Sequence, residues 1–297
     1  MKRLRCPHRA WDPNLTRAEI QRSPKRAIRW LFRRITSPWR GLPSIYIAGA
    51  RKCGTTSLFY YLVAHPHLLP PFRKEVKFFT FQFYLGTLWY RANFPFVHQL
   101  RGRMTLDATA TYLMHPWFAQ RAYALTPHAR VIVLVRNPVK RVLSMYNQNR
   151  RRGLESLPLE KVFEREQSLL SGERERLADP CYSPARFELY GYLWESCYIE
   201  HLERLWTFFP PEQVLVLRSE DLFASPQEVM AQVYRFLDLQ PFQQTSFRIY
   251  NPGHYRVDAS LKPAVAWLQE YFAPYNQRLY NALGRDLGWE RECIDFD

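Results

Sequence analysis

The sequence predicts an α/β protein with a central parallel sheet flanked by helices. Short apolar runs alternate along the chain with longer segments in which apolar residues recur at helical spacing, and this alternation is typical of parallel sheets. The strongest run, Arg130–Val135, shows no polar alternation, as expected for a strand that is buried on both faces. The 297 residues, 47% of them hydrophobic, suffice for one large core. No apolar run reaches the roughly 20 residues that a transmembrane helix needs.

The predicted domain begins with a strand. Residues 44–48 are apolar and end at Gly49. Residues 55–64 then place apolar side chains at helical spacing until the His-Pro pair 65–66 stops the helix. Residues 104–107 form another short apolar run and are predicted as a strand.

The central strand is followed by helical segments. Pro138 stands where a first helical turn would begin, and residues 139–152 continue at helical spacing. Residues 153–185 are charged and interrupted by proline, which indicates an insertion. Residues 186–209 are predicted as one long amphipathic helix.

The last predicted elements are a strand and two helices. Residues 214–217 form an apolar run, and residues 226–237 show helical spacing. Residues 240–260 have no periodicity, and residues 263–283 close the chain as a helix. We find no internal repeat.

Positive charge is concentrated at the amino terminus. The formal net charge is +15, and residues 1–40 hold 12 of the 42 Lys and Arg residues but only 2 of the 27 acidic ones. We predict a basic arm over residues 1–40, dispensable for turnover, and a single domain over residues 41–297. Such an arm is either a solvated tail or a region attracted to anionic lipid, nucleic acid or an anionic glycan. No recognised nucleic-acid motif is present, so specific nucleic-acid binding is not expected.

Within the arm, Ile28, Leu31, Phe32 and Ile35 recur at helical spacing beside several arginines. This pattern predicts a short basic amphipathic helix that lies on a membrane surface or packs on the domain. The basic terminus lacks the apolar stretch of a secretory signal. We therefore expect a cytoplasmic protein, with peripheral contact to an anionic membrane through the arm as a further hypothesis.

The five cysteines, at positions 6, 53, 181, 197 and 293, are odd in number and lack the spacing of metal ligands. This pattern predicts a reducing compartment and no metal site. A disulfide between Cys181 and Cys197 is the alternative.

A loop bracketed by glycines follows the first predicted strand. Residues 49–57 read GARKCGTTS. Glycines let the backbone approach an anion closely, and the start of the next helix directs N–H groups and partial positive charge at it. The P-loop signature GxxxxGK[ST] has lysine after its second glycine, whereas here Thr55 follows Gly54 and the cation is Lys52, inside the loop. Taken alone, the loop is also compatible with a tight strand-to-helix turn.

The loop and the residues after it resemble the sulfotransferases that use 3′-phosphoadenosine 5′-phosphosulfate (PAPS). The matching residues are the run KCGTTS, Leu58, and the pairs His-Pro at 65–66, Lys-Glu at 74–75 and Phe-Phe at 78–79. The likeness extends over residues 45–289, outside the 153–185 segment, and is greatest for the heparan sulfate N- and O-sulfotransferases. It implies a P-loop NTPase-like three-layer sandwich. It also implies that the loop residues bind the cofactor, namely Lys52, Cys53, Gly54, Thr55, Thr56 and Ser57.

Arg136 ends the central predicted strand, at the edge where open α/β sheets bind their ligands. Ser144 lies one to two turns into the following helix, so a guanidinium and a hydroxyl can converge on one phosphate. The resemblance implies that this pair recognises the 3′-phosphate of PAPS. Without the resemblance, the favoured explanation is an arginine that caps a strand, followed by a solvated basic helix.

Glu75 is flanked by Lys74 and Lys77, and these opposite charges favour its ionised form. The resemblance implies that this glutamate is the base that deprotonates the acceptor. Many members have histidine where this chain has Lys77. The alternative for Glu75 is a surface ion pair.

Two further segments match the family in part. Residues 251–256 resemble a loop that closes over the cofactor, which implies contacts by Gly253, His254, Tyr255 and Arg256; a plain surface loop is the alternative. Residues 107–112 resemble the segment that lines the acceptor cleft, which implies acceptor contacts by Thr109 and Thr111. Lys77, at the position where many members have histidine, is predicted as a third acceptor contact. A strand end with a Thr-rich helix cap is the alternative for the latter segment.

These residues predict sulfuryl transfer from PAPS to a hydroxyl or amine, on a saccharide or other glycan, with adenosine 3′,5′-bisphosphate (PAP) as product. In this prediction Lys52 stabilises the leaving phosphate and Glu75 is the base. The competing prediction is a P-loop kinase or other NTPase. A kinase needs lysine after Gly54 and an acidic magnesium ligand at a strand end, where this chain has Thr55 and Arg136.

Overall fold

Five parallel strands form one sheet at the centre of the protein. The structure, a computed structural model, describes residues 23–176, 179, 182, 185–252 and 257–294. The strands are β1 (Ile45–Gly49), β2 (Leu68–Leu69), β3 (Met104–Ala108), β4 (Arg130–Val135) and β5 (Val214–Arg218). Their order across the sheet is β2-β3-β1-β4-β5, and every neighbouring pair is parallel. The predicted α/β fold is confirmed.

Helices flank the sheet and connect its strands. In chain order the α-helices of the described residues are α1 (Pro24–Ile35), α2 (Thr55–Val63), α3 (Gly86–Arg91), α4 (Phe118–Leu125), α5 (Pro138–Arg151), α6 (Leu159–Arg176), α7 (Ala185–Tyr190), α8 (Tyr198–Trp206), α9 (Ser219–Ala224), α10 (Pro226–Phe236) and α11 (Lys262–Leu283). None of these helices is long and apolar enough to cross a membrane.

The centre of the sheet is apolar on both of its faces. All residues of β1 are buried, as are Val131 to Val135 of β4. Ile45 pairs with Leu106 on one side and with Arg130 on the other, which places β1 between β3 and β4. Since the carboxyl ends of parallel strands meet at one edge, the segments that follow these three strands also meet there.

Most predicted elements agree with the structure to within one or two residues, but the long helix predicted over residues 186–209 is wrong. That segment forms α7, a turn and α8. The carboxylate of Glu166, on α6, accepts hydrogen bonds of 2.8 to 3.0 Å from the backbone N–H groups of Tyr192, Leu193 and Trp194. A continuous helix would use those N–H groups internally, so this carboxylate stabilises the interruption. The two-residue strand β2 was missed because it is too short to show a period.

The segment 153–185, predicted as an insertion, contains a helix that packs into the body. Leu159, Val162 and Phe163 of α6 are buried in an apolar cluster with residues of α5 and α11. The described part of this segment therefore contributes to the hydrophobic core of the protein, whether or not it is an insertion. Cys181 lies outside the described residues, and its suggested partner Cys197 is a buried free thiol.

The second half of the predicted arm packs against the domain. The amphipathic helix expected there is present as α1, and Trp30 is buried in the main hydrophobic cluster. Its ring packs edge-on against Trp89, with 5.7 Å between ring centroids. Arg40 is also buried and donates a 3.0 Å hydrogen bond to the carbonyl of Phe94. Residues 24–40 are thus part of the folded body, which corrects the predicted boundary; residues 1–22 lie outside the described residues.

Candidate active site

A tight loop, residues 50–54, connects β1 to α2. Lys52 and Gly54 both have left-handed backbone conformations, with φ of +69° and +89°. A Cβ atom at Gly54 would lie 2.8 Å from the ring of Phe223, so conformation and space both require glycine. The loop leads directly into Thr55, the first residue of α2, where helix N–H groups attract anions.

A cavity of about 570 Å³ opens above this loop. Residues that follow β1, β3, β4 and β5 line it, so it lies at the carboxyl edge of the sheet. The predicted site residues that line it are Lys52, Gly54, Thr55, Thr56, Glu75, Arg136 and Ser144. The other lining residues are Arg51, Ala110, Lys140, Gln148, Ser219, Glu220, Phe223, Ile249, Tyr250, Asn251 and Pro252.

Lys52 stands among other cations. Burial lowers the pKa of Lys52, and the charges of Arg136, Arg151 and Arg152 lower it further, to about 8. The Arg136 guanidinium also donates a 3.2 Å hydrogen bond to the Lys52 carbonyl. Positive groups held this close repel one another unless an anion binds between them, so the residues present fit a phosphate or sulfate ligand.

Arg136 and Ser144 reach the cavity from the end of β4 and from α5. The Asn137 side chain caps α5 by accepting hydrogen bonds from the N–H groups of Val139, at 3.1 Å, and Lys140, at 3.4 Å. This cap sets where the helix starts, and Ser144 then lies two turns in, with its side chain on the cavity wall. The structure therefore brings the two residues together; their role at a 3′-phosphate stays a prediction.

Glu75 lies beside the end of β3 in an unusual backbone conformation, with φ of +59°. Its N–H donates to the carbonyl of Ala108 at 3.1 Å, and its Oε1 accepts hydrogen bonds from Lys74 Nζ, at 3.0 Å, and the Ala110 N–H, at 3.4 Å. The side chain stays 33% exposed. A non-glycine residue keeps a left-handed φ only where its surroundings impose it, and such residues cluster at functional sites.

Cys53 and Ser57 lie behind the cavity wall. The Cys53 thiol is buried 3.7 Å from the hydroxyl of Tyr198, and burial raises its pKa to about 12. Ser57 Oγ accepts a 3.0 Å hydrogen bond from the N–H of Tyr250. Neither side chain lines the cavity: Cys53 supports the loop, and Ser57 holds a segment that covers the cavity. That these two loop residues bind the cofactor stays a prediction.

The expected acceptor contacts of the two threonines also need correction. Thr109 is fully buried; its hydroxyl donates to Asp107 Oδ1 at 2.8 Å and accepts from the Lys77 N–H at 3.3 Å. Thr111 is buried as well. The Lys77 ammonium forms an ion pair with Glu188 on α7. The threonines thus shape the turn after β3, and Lys77 is the partly exposed member of the group.

The predicted closing segment is described only as far as Pro252. The ring of Tyr250 stacks on Tyr60 of α2 at a centroid distance of 4.2 Å, which holds residues 249–252 over the cavity. The remaining predicted residues, Gly253, His254, Tyr255 and Arg256, lie outside the described residues.

An ion-pair network beneath the loop was not predicted. Arg51 and Arg141 both contact the carboxylate of Glu195, at 2.7 and 3.0 Å. Burial opposes ionisation of Glu195, but the two arginines hold its pKa below the usual value. The network ties the loop to α5 and to the turn before α8. Its members lie 144 and 54 residues apart in sequence, so no local motif marks it.

Comparison with known proteins identifies the family. A family model described as the sulfotransferase domain matches residues 42–250. The chain belongs to this family. The protein is therefore a sulfotransferase, which decides against the kinase alternative. In the described part of the chain, no three His, Cys, Asp or Glu side chains come together as metal ligands would.

Individual relatives support the same family. The membrane-associated sulfotransferase kil1 of Dictyostelium discoideum is 27% identical, over 84% of this chain and 67% of that protein. The human heparan sulfate glucosamine 3-O-sulfotransferase 6 is 28% identical, over 84% of this chain and 74% of its own. The crystal structure of a sulfotransferase from Alicyclobacillus acidocaldarius matches with a TM-score of 0.64 and 27% identity, covering 85% of this sulfotransferase and 100% of that chain.

Proposed function

We propose that this sulfotransferase moves a sulfuryl group from PAPS to a hydroxyl or amine of a carbohydrate. The observation that supports this most is that Lys52, Glu75 and Arg136, from three separate elements, line one cavity. One cavity thus has cations for the phosphates of a nucleotide and a carboxylate for the acceptor. Bound PAPS would supply the activated sulfuryl group and a phosphate leaving group.

Two groups of residues would hold the nucleotide. Lys52 and the start of α2, at Thr55 and Thr56, would hold the 5′-phosphosulfate. Arg136 and Ser144 would bind the 3′-phosphate through charge-assisted hydrogen bonds. Holding both ends of the nucleotide orients the sulfuryl group for in-line attack, and such positioning lowers the barrier because less freedom is lost in the reaction itself.

Lys52 and Glu75 have complementary duties in the transfer. The Lys52 ammonium stabilises negative charge that develops on the departing phosphate oxygen. The Glu75 carboxylate accepts the proton of the attacking hydroxyl or amine. Although the pKa of Lys52 is lowered to about 8, the amine is still mostly protonated at pH 7, and a bound anion favours this charged form further.

A saccharide acceptor is supported by the relatives and by the charge near the cavity. The human relative is named for a heparan sulfate glucosamine. Arg151 and Arg152, at the end of α5, are close enough to lower the pKa of Lys52, so the region beside the cavity is cationic. A cationic rim attracts an anionic glycan more strongly than a neutral one.

Ligand-induced stabilisation tests the nucleotide site. PAP should raise the melting temperature of the parent protein, and AMP should do so far less, because AMP lacks the 3′-phosphate. The Arg136→Ala variant should respond equally weakly to both nucleotides. Equal shifts of the parent with PAP and AMP would contradict the 3′-phosphate site.

A transfer assay tests the reaction. With labelled PAPS, we expect sulfate to appear on glucosamine-containing oligosaccharides, and EDTA to leave the rate unchanged. Transfer to phenols but to no saccharide would contradict the proposed acceptor class while leaving the nucleotide site intact.

A further inference from the structure

Helix α1 turns its apolar side away from the protein. Its buried residue is Trp30, whereas Ile28, Leu31, Phe32 and Ile35 are between 51% and 68% exposed. At 100° per residue these four side chains share one side of the helix, opposite Trp30. Helices on the surface of a soluble domain have the reverse arrangement, with the apolar side against the core.

Packing sets this orientation. Trp30 is held edge-on against the buried ring of Trp89. On the same side, the Arg33 guanidinium lies 4.1 Å from the centre of the Phe72 ring, a cation–π contact. Rotating the helix to bury its apolar side would break both contacts. The exposed side is therefore a property of the fold, and Trp39, which is 66% exposed just after the helix, adds a fifth large apolar side chain.

Basic side chains lie beside this apolar side. At 100° per residue, Lys25 and Arg29 follow one another along one flank of the helix, next to Ile28 and Phe32, and both are exposed. Ammonium and guanidinium groups are well suited to phosphate oxygens.

We propose that α1 and Trp39 form a docking surface for an anionic lipid bilayer. The apolar side chains would enter the boundary between headgroups and acyl chains, and Lys25 and Arg29 beside them would bind lipid phosphates. A soluble polyanion would need the basic side chains but has no use for five exposed apolar side chains. None of these residues lines the active-site cavity, so docking places the enzyme at a surface without taking part in the chemistry.

Sedimentation of the full chain with vesicles tests the surface. We expect binding to vesicles of equal parts phosphatidylcholine and phosphatidylglycerol, much weaker binding to phosphatidylcholine alone, and weakening by salt. Replacing Leu31 and Phe32 together by serine should reduce vesicle binding by at least about tenfold, because two apolar side chains that would enter the bilayer are lost. Both residues are exposed, so melting temperature and transfer to a small acceptor should match the parent.

The matched control is Leu154→Ser, which removes an apolar side chain of 47% exposure away from α1 and should leave vesicle binding unchanged. Replacing Lys25 and Arg29 by alanine should weaken the preference for anionic vesicles. The proposal would be overturned if the parent protein did not bind anionic vesicles at low salt. It would also be overturned if the Leu31→Ser/Phe32→Ser variant bound them as well as the parent does.

Two other outcomes would also overturn it. Loss of heparin retention in the Lys25→Ala/Arg29→Ala variant, with unchanged vesicle binding, would assign these basic side chains to a soluble polyanion. A parent dimer in light scattering that the serine variant abolishes, without vesicle binding by the parent, would show that a second copy covers the apolar side chains. Because sulfuryl transfer is measured separately, neither outcome bears on the proposed reaction.

Discussion

The side chains of Lys52 and Glu75 line the same cavity. Replacing one or the other should nevertheless affect cofactor binding and turnover differently. Glu75→Gln keeps the size of the side chain and removes the base. PAP affinity should stay near the parent value, while kcat falls on the order of 10²–10⁴-fold, the usual contribution of general acid–base catalysis. Calorimetry with PAP and a labelled-PAPS assay measure the two quantities.

Lys52→Ala is the companion variant. It removes a cation that faces the nucleotide, so PAP affinity and turnover should both fall. Turnover of Glu75→Gln at the parent rate would show that the base lies elsewhere. Loss of PAP binding in that variant would show instead that Glu75, with its left-handed backbone, supports the loop.

The pKa of Lys52 gives PAP binding a specific pH dependence. This pKa is about 8, lowered from 10.5, and a bound phosphate favours the charged amine and raises the pKa again. The complex therefore takes up a proton, and affinity should fall as pH rises through 8. In Lys52→Arg, whose guanidinium stays charged, this fall should largely disappear. Calorimetry in two buffers of different ionisation enthalpy measures the proton uptake; equal heats at pH 8.5 would contradict it.

At the scale of the elements, α6 holds α7 and α8 apart through one carboxylate. Glu166 is buried and accepts hydrogen bonds from three consecutive backbone N–H groups. Glu166→Ala leaves those groups unsatisfied and should lower the free energy of unfolding by about 2–4 kcal/mol. Glu164→Ala is the matched control, because Glu164 is exposed and forms an ion pair with the equally exposed Lys161; its effect should stay within about 0.5 kcal/mol. Urea unfolding measures both, and equal effects would contradict the role of Glu166.

Helix α1 offers a second matched pair. Trp30 is 5% exposed and Trp39 is 66% exposed. Trp30→Ala should cost about 3–5 kcal/mol of stability, as for large aromatic side chains in cores, because its contact with Trp89 is lost. Trp39→Ala should cost less than about 0.5 kcal/mol. A stable Trp30→Ala variant in thermal unfolding would show that α1 is only loosely attached.

For the whole molecule, these contacts revise the domain boundary. Removing residues 1–22 leaves Trp30, Arg40 and the loop that begins after Gly49 in place, so we expect stability and turnover on a small acceptor to be kept. Removing residues 1–40 also deletes Trp30 and Arg40, which are buried against the body, and should lower the melting temperature. Equal melting temperatures of the two truncated proteins would restore the boundary at residue 40.

Much of this organisation was predictable because it depends on neighbouring residues. A strand buried on both faces is apolar throughout, so Arg130–Val135 was located to the residue. The loop 49–57 has glycines, a lysine and hydroxyl side chains within nine positions, and local composition of this kind predicts an anion site. The meeting of Lys52 and Arg136 followed as well, because both come directly after predicted strands and parallel strands end at one edge. Glu75 was assigned to the site only by the family resemblance, since the strand before it was not predicted.

Other features depend on contacts between distant residues. Glu195 lies 144 positions from Arg51, and the carboxylate that interrupts residues 186–209 comes from Glu166, on another helix. The burial of Thr109 likewise depends on how the turn after β3 packs. Helical spacing in α1 defines an apolar side, but the same spacing is compatible with an apolar side that faces the protein and with one that faces solvent. The contact of Trp30 with Trp89 decides between them, because periodicity assigns residues to the sides of a helix and only packing selects the side that meets the protein.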